Sequence, residues 1–255
     1  MSDIEDHQAA VRLAELAGAR LLQVRDELQR DGVTGERAKD LGDQAAQGVL
    51  AQALSAQFPA DAVLSEEAAD DHARLHADRV WIIDPLDGTR EFSELDRDDW
   101  AVHVALWVRG ELTAGAVALP ARSTTYSTGE APDLTARPTA APLQLAVSRS
   151  RPPEFVSRLA ERLGAKLVPM GSAGVKAMSV VSGECDAYVH AGGQFEWDSA
   201  APVAVARAYG LQTSRIDGSA LRYNNADPYL PDLVIARPEV APEILEVLAE
   251  SAHSP

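Results

Sequence analysis

Apolar and polar positions alternate at helical spacing from the start of the chain. Over residues 4 to 30, Val11, Ala14, Leu16, Leu21, Val24 and Leu28 recur loosely one turn apart among charged residues, which predicts one long scaffolding helix. Gly32 to Lys39, with two glycines among polar residues, predicts a mobile loop, and a second helix follows from about Leu41 to Phe58. Asp43 is either the N-cap of that helix or a carboxylate pointing into a site beside the loop. Ala62 to Leu64 form a short strand. Val80, Trp81, Ile82 and Ile83 then read as a buried strand, because four β-prone apolar residues in a row have no polar face to offer water. Pro85 cannot extend a central ladder, so the backbone is expected to turn just after Asp84, and Gly88 permits a second bend or a close backbone approach to a ligand.

From Trp100 the period changes to that of strands: W-A-V-H-V-A-L-W-V, L-T-A-G-A-V-A-L and a short run from Ser123 to Ser127, with Arg109 and Gly110 at the first turn, predict an antiparallel meander. His103 reads as structural, since no second histidine stands at a ligating spacing. Residues 129 to 142 hold three prolines among alanine, threonine and glycine, and divide the chain into an N-terminal α+β subdomain, 1–135, and a C-terminal α/β subdomain, 136–255. In the second part strands at 143–147, 166–168, 187–190 and 233–236 alternate with helices from about Pro153 to Leu163, after G-S-A-G-V-K, from Asp198 to Tyr209 and from Val240, the pattern of a sheet with helices packed on it.

Composition narrows the chemistry. There are 39 acidic against 23 basic residues, and the net charge of −16 argues against sequence-independent binding to nucleic acid, which needs cations to neutralise phosphates. No apolar run is long enough to span a membrane, and a polar, acidic beginning has neither secretory nor transit character, so the cytoplasm is the expected compartment. The lone Cys185 cannot form an internal disulfide and is expected to be a buried packing residue.

The chemistry concentrates at D-P-L-D-G-T, residues 84–89. Two carboxylates three residues apart, a peptide carbonyl and a hydroxyl suit a hard divalent cation such as Mg²⁺. Glu66 and Glu67, after a strand, are either a helix start or ligands; Asp198 in E-W-D-S-A-A-P is a further acid at a helix start. Arg90, Glu91 and Phe92 begin a helix whose amides point at an anion. Lys176 opens a helix against its dipole and is expected to meet an anionic partner.

W-I-I-D-P-L-D-G-T-R-E-F, with S-E-E upstream and W-D-S-A-A-P downstream, resembles the lithium-sensitive phosphatase superfamily that includes inositol monophosphatase and fructose 1,6-bisphosphatase, in the expected order over nearly the whole chain. G-T-R-E-F, V-S-R-S-R, G-S-A-G-V-K, E-W-D and L-R-Y-N are most similar to its CysQ branch, in the actinobacterial form, which acts on 3′-phosphoadenosine 5′-phosphate. The resemblance implies a layered αβαβα sandwich and two Mg²⁺ ions, leaving a third open. Glu66, Asp84 and the Leu86 carbonyl would hold one ion, and Asp84, Asp87 and Asp198 the second. Thr89 would orient the attacking water, polarised by Asp43, while the amides of Gly88 and Thr89 receive the phosphate. Arg90, Ser148, Arg149, Arg151, Ser172 and Lys176 would contact a bisphosphorylated nucleotide, with Tyr223 and Asn224 flanking the base unless Y-N-N is a turn. Arg149 and Arg151 also read as ordinary surface charge.

Three departures qualify this. Ala191 stands where inositol monophosphatases carry an acid that receives inositol hydroxyls. Arg90 replaces a lysine common in the CysQ branch, and Gly42 replaces the threonine usual before Asp43. The implied activity is Mg²⁺-dependent hydrolysis of the 3′-phosphate to give AMP, in sulfate assimilation, with the 5′-phosphosulfate as a further substrate. Inositol phosphate or fructose 1,6-bisphosphate is the alternative within the same chemistry. A silent nucleotide and metal sensor would have lost an acid or the threonine, and all are present. A homodimer is left open.

Overall fold

The computed structural model describes residues 3–130, 142–150, 152 and 154–252. Two helices, α1 (Asp3–Asp31) and α2 (Glu36–Gln57), lead into a five-stranded sheet of β1 (Ala62–Ser65), β2 (Arg79–Asp87), β3 (Ala101–Val108), β4 (Glu111–Leu119) and β5 (Thr124–Ser127), with the short α3 (Thr89–Ser93) after β2. Spatial order follows the chain; β1 and β2 run parallel and the rest pair antiparallel, as the meander pattern predicts. The second half supplies β6 (Gln144–Ser148), α4 (Glu154–Leu163), β7 (Lys166–Met170), α5 (Ala173–Val181), β8 (Ala187–Phe195), α6 (Glu196–Ala208), β9 (Gln212–Ser214), β10 (Tyr229–Ala236) and α7 (Ala241–Ala252). Its sheet has the order β7-β6-β8-β10-β9, parallel through β7, β6 and β8 and antiparallel beyond.

Side-chain alternation along β2 explains the layering. Trp81 and Ile83 pack with α1 and α2, whereas Val80 and Ile82 face the opposite core with α5 and α6, so the strand is apolar on both sides. That second core also takes in Ala146, Tyr188, Leu233 and Ile235 from the other sheet. The far face of the second sheet, through Leu145, Val189 and Val234, is covered by Leu159 of α4 and Ile244 of α7. The result is an αβαβα sandwich with α5 and α6 as its middle layer. Among the described residues no helix is long and apolar enough to cross a membrane.

Several local expectations are corrected. The second helix starts at Glu36, five residues before Leu41, because E-R-A-K favours helix once Gly35, at φ +67°, has turned the chain. Asp43 therefore lies two turns inside α2, and the N-cap alternative falls. The chain does not leave the ladder at Pro85. β2 continues to Asp87 with a bulge between Asp84, opposite His103, and Asp87, opposite Ala101, which accommodates the proline and re-aims the carboxylates. No helix follows Glu66 and Glu67, where the chain makes a turn. β9 is too short to have been read, and β8 runs on through two glycines to Phe195. Cys185 is buried. The expected boundary at 135/136 lies outside the described residues; β1 to β5 precede it and β6 to β10 follow it.

Candidate active site

The β2 bulge turns two acids toward one volume. Asp84 and Asp87 meet Asp198, from the first turn of α6, with one carboxylate oxygen of each within 4.8 Å of the others. Asp84 is almost completely buried; its Oδ1 accepts from the Leu86 amide at 3.0 Å, while Oδ2 has no hydrogen-bond partner and lies 3.9 Å from His103 Nδ1. Burial, then the charges of Glu66, Asp87 and Asp198, push its pKa well above the ordinary carboxylate range. Asp198, whose Oδ2 accepts from the Phe195 amide at 2.7 Å, is raised to about 7 by burial and by Asp87. Glu66 is exposed as a residue, yet loss of water at its carboxyl group, with Asp87 and Glu67 nearby, raises it to about 7.

Asp87 differs. Its oxygens accept from the Ser172 hydroxyl and from the amides of Ala173 at 3.1 Å and Gly174 at 2.6 Å, so it tops the N-terminus of α5. Burial would raise its pKa, but the His103 ring, Lys176 and the Ser172 hydroxyl outweigh that and hold it well below the usual range. Ser172 is also the N-cap of α5, accepting from the Val175 amide at 3.0 Å.

Thr89 follows Gly88, whose φ of +87° suits glycine at the start of α3. The Thr89 hydroxyl lies 3.1 Å from the Leu86 carbonyl oxygen and 3.5 Å from Asp43 Oδ1. Asp43 is raised to about 7, first by burial and then by Glu67 and Asp40. A cleft of about 720 Å³ opens beside these groups, lined by Asp87, Gly88, Thr89, Arg90, Ser148, Arg149, Ser172, Lys176 and Asp198 among others. Glu66, Asp84, Leu86 and Asp43 are not among its lining residues.

The cations behave less simply than expected. Arg149 is engaged by two acids, Nε with Glu91 Oε1 at 2.6 Å and Nη2 with Glu94 Oε1 at 2.8 Å, so it is neither free surface charge nor an idle phosphate receptor. Lys176 is buried and donates to the carbonyls of Gly171 and Ser172, with Tyr188's ring 5.3 Å away and the charges of Asp87 and Glu91 acting on it. Arg151 lies outside the described residues. Tyr223 and Asn224 do not flank the cleft. Tyr223 is buried with its hydroxyl 3.1 Å from Ser199, and Asn224 joins the buried Arg74 and Glu196, accepting from Arg74 Nη1 at 2.7 Å and donating its amide to Glu196 Oε2 at 2.6 Å. Asp70 holds Arg74 from the other side at 2.7 Å.

Sequence reasoning missed four contributors. His103, wholly buried, puts Nε2 3.2 Å from Asp87 Oδ2 and Nδ1 3.2 Å from the Trp197 carbonyl oxygen. Its signal is the strand register that sets it opposite Asp84, which a single sequence does not display. Tyr188 and Gln194, hydrogen-bonded at 2.9 Å, and Lys39 line the cleft itself, as His103 does not.

The donor set fits a divalent cation: hard oxygens only, one of them buried and unpartnered, in a cluster whose mutual repulsion a cation relieves. The inositol monophosphatase family model matches residues 4–254. The chain is 53% identical to the 3′-phosphoadenosine 5′-phosphate phosphatase of Mycobacterium bovis, over 92% of this chain and 90% of that one. Among solved structures, CysQ of Bacteroides thetaiotaomicron superposes with a TM-score of 0.78 at 26% identity, covering 91% of this chain and 97% of the other. Inositol monophosphatase II of Staphylococcus aureus superposes at 0.81 with 19% identity, covering 96% and 94%, a likeness of fold.

Proposed function

The chain belongs to the inositol monophosphatase family, and from that premise we propose that it hydrolyses the 3′-phosphate of 3′-phosphoadenosine 5′-phosphate to AMP and inorganic phosphate with Mg²⁺, and acts on the 5′-phosphosulfate analogue in sulfate assimilation. The observation that carries this reading is the 53% identity, over nearly all of both chains, to a phosphatase named for that nucleotide. An acidic cluster beside a cleft of about 720 Å³, roomy enough for a nucleotide, supports it.

In this reading Glu66, Asp84, the Leu86 carbonyl, Asp87 and Asp198 hold two Mg²⁺ ions. When bound, Mg²⁺ neutralises the phosphoryl oxygens, acidifies the attacking water and stabilises the departing oxygen. The chain's own residues do the rest. Gly88 and Thr89 present backbone amides to the phosphate. The Thr89 hydroxyl, donating toward Leu86 or Asp43, turns a lone pair to the water and orients it in line with the scissile bond. Asp43, raised to about 7, is poised to polarise that water near neutral pH. Ser172 and Ala173 fix the Asp87 carboxylate from the opposite side. The water oxygen bonds to phosphorus as the bond to the 3′-oxygen breaks, with no covalent phosphoenzyme. Separating the products tests the assignment: adenosine 5′-monophosphate as the sole nucleotide product is expected, and adenosine 3′-monophosphate would overturn it.

A further inference from the structure

A substrate with two phosphates brings a second dianion into the cleft, and a protein of net charge −16 must place a cation for it. Among the described residues, the lysine and arginine side chains lining the cleft are Lys39, Arg90, Arg149 and Lys176. Two are committed. Arg149 is shared between Glu91 and Glu94, and Lys176 is buried on two carbonyls. To take a phosphate, Arg149 would abandon a buried carboxylate and Lys176 would strand two carbonyls, both unfavourable. Arg90, more than half exposed, reaches Glu94 at 3.3 Å, a carboxylate already engaged by Arg149; it is loosely held as well, but it stands on α3 next to Thr89, at the scissile phosphate of the reading above.

Lys39 is loosely held too, and on a different element. Its ammonium lies 2.6 Å from Glu36 Oε1, one turn away on α2, and the Glu36 side chain is 84% exposed. An exposed pair of this kind contributes little and exchanges readily for a stronger anion. Lys39 also stands four residues before Asp43 on the same helix, so both project from one face of α2. The helix that brings Asp43 to Thr89 thus also brings a weakly held cation to the cleft wall, outside the acidic cluster.

We propose that Lys39 receives the non-scissile phosphate of the bisphosphorylated nucleotide, releasing Glu36 to solvent, and so selects substrates that carry a second phosphate. The proposal rests on the nucleotide reading above and adds a specificity residue to it. Because Lys39 recognises only one part of the substrate, its contribution separates from effects on the water or the cations, which act on every substrate alike.

The test is the ratio of kcat/KM for adenosine 3′,5′-bisphosphate to that for adenosine 3′-monophosphate, at saturating Mg²⁺, in the wild-type protein, Lys39→Ala and Lys39→Arg. The ratio is expected to fall about tenfold in Lys39→Ala, through KM for the bisphosphate, and to stay within about threefold of wild type in Lys39→Arg, which keeps the charge. A wild-type ratio retained in Lys39→Ala overturns the role of Lys39 and leaves the nucleotide reading standing. No preference for the bisphosphate in the wild-type protein overturns both.

Discussion

Asp43 Oδ1 stands 3.5 Å from the Thr89 hydroxyl across 46 residues of chain, and that hydroxyl also meets the Leu86 carbonyl oxygen at 3.1 Å. One hydroxyl proton serves one acceptor at a time, so the group donates either to a backbone oxygen at the acidic cluster or to a carboxylate whose pKa is raised to about 7. Thr89→Ala is predicted to lower kcat by roughly a hundredfold or more while KM changes little, because the hydroxyl acts on the water rather than on substrate binding. Asp43→Asn should also lower kcat, and the double variant should be no worse than the more damaged single one. Losses that multiply in the double variant would mean that the two residues act separately.

Arg149 offers a stability test. Its guanidinium reaches the buried Glu91 at 2.6 Å and the half-buried Glu94 at 2.8 Å, joining β6 to α3 and the loop after it. Arg149→Ala leaves Glu91 without its cation and is predicted to destabilise the fold by about 2 kcal/mol in urea unfolding, less than a fully buried pair would lose. Arg149→Lys cannot span both carboxylates and should fall between. A loss indistinguishable from zero in Arg149→Ala would show the arginine to be ordinary surface charge.

Protonation of the acidic site sets a pH dependence whose sign is fixed. Asp43, Glu66 and Asp198 are each raised to about 7, with burial the first cause; in the unfolded chain such groups titrate near about 4. Between these values the folded protein binds more protons than the unfolded chain. Their contribution to stability is therefore complete below about pH 4 and lost as pH rises through about 7. A divalent cation favours the ionised carboxylates and reverses the trend. Metal-free protein should lose several degrees of Tm between about pH 5.5 and about pH 8, and Mg²⁺ should raise Tm more at the higher pH. A larger Mg²⁺ effect at the lower pH contradicts this account.

What was legible in the sequence was local. The apolar run of β2 and the D-P-L-D-G-T that ends it carry their own signal, since carboxylates at the end of an all-apolar strand are costly to bury without a cation beside them. Strand and helix periods then fix the meander and the layers. The rest depends on pairing. His103 is one polar residue in an apolar strand until the register sets it opposite Asp84. Pro85 reads as a strand end because a bulge is invisible without its partner strand. Two glycines made Gly32 to Lys39 look like a loop, which hid both the true start of α2 and Lys39 as a cleft residue. Tyr223 and Asn224 misled in the other direction: an aromatic next to an amide looks the same in sequence whether it meets a base or, as here, closes a buried network with Ser199, Arg74 and Glu196.

Phosphate release with Mg²⁺ from three substrates tests the central claim most directly: 3′-phosphoadenosine 5′-phosphate, inositol 1-phosphate and fructose 1,6-bisphosphate, each measured as kcat/KM. The account predicts that the nucleotide leads both sugar-type substrates by about a hundredfold or more, and that Asp84→Asn nearly abolishes turnover of all three with the fold intact. Comparable kcat/KM for the nucleotide and inositol 1-phosphate would contradict it.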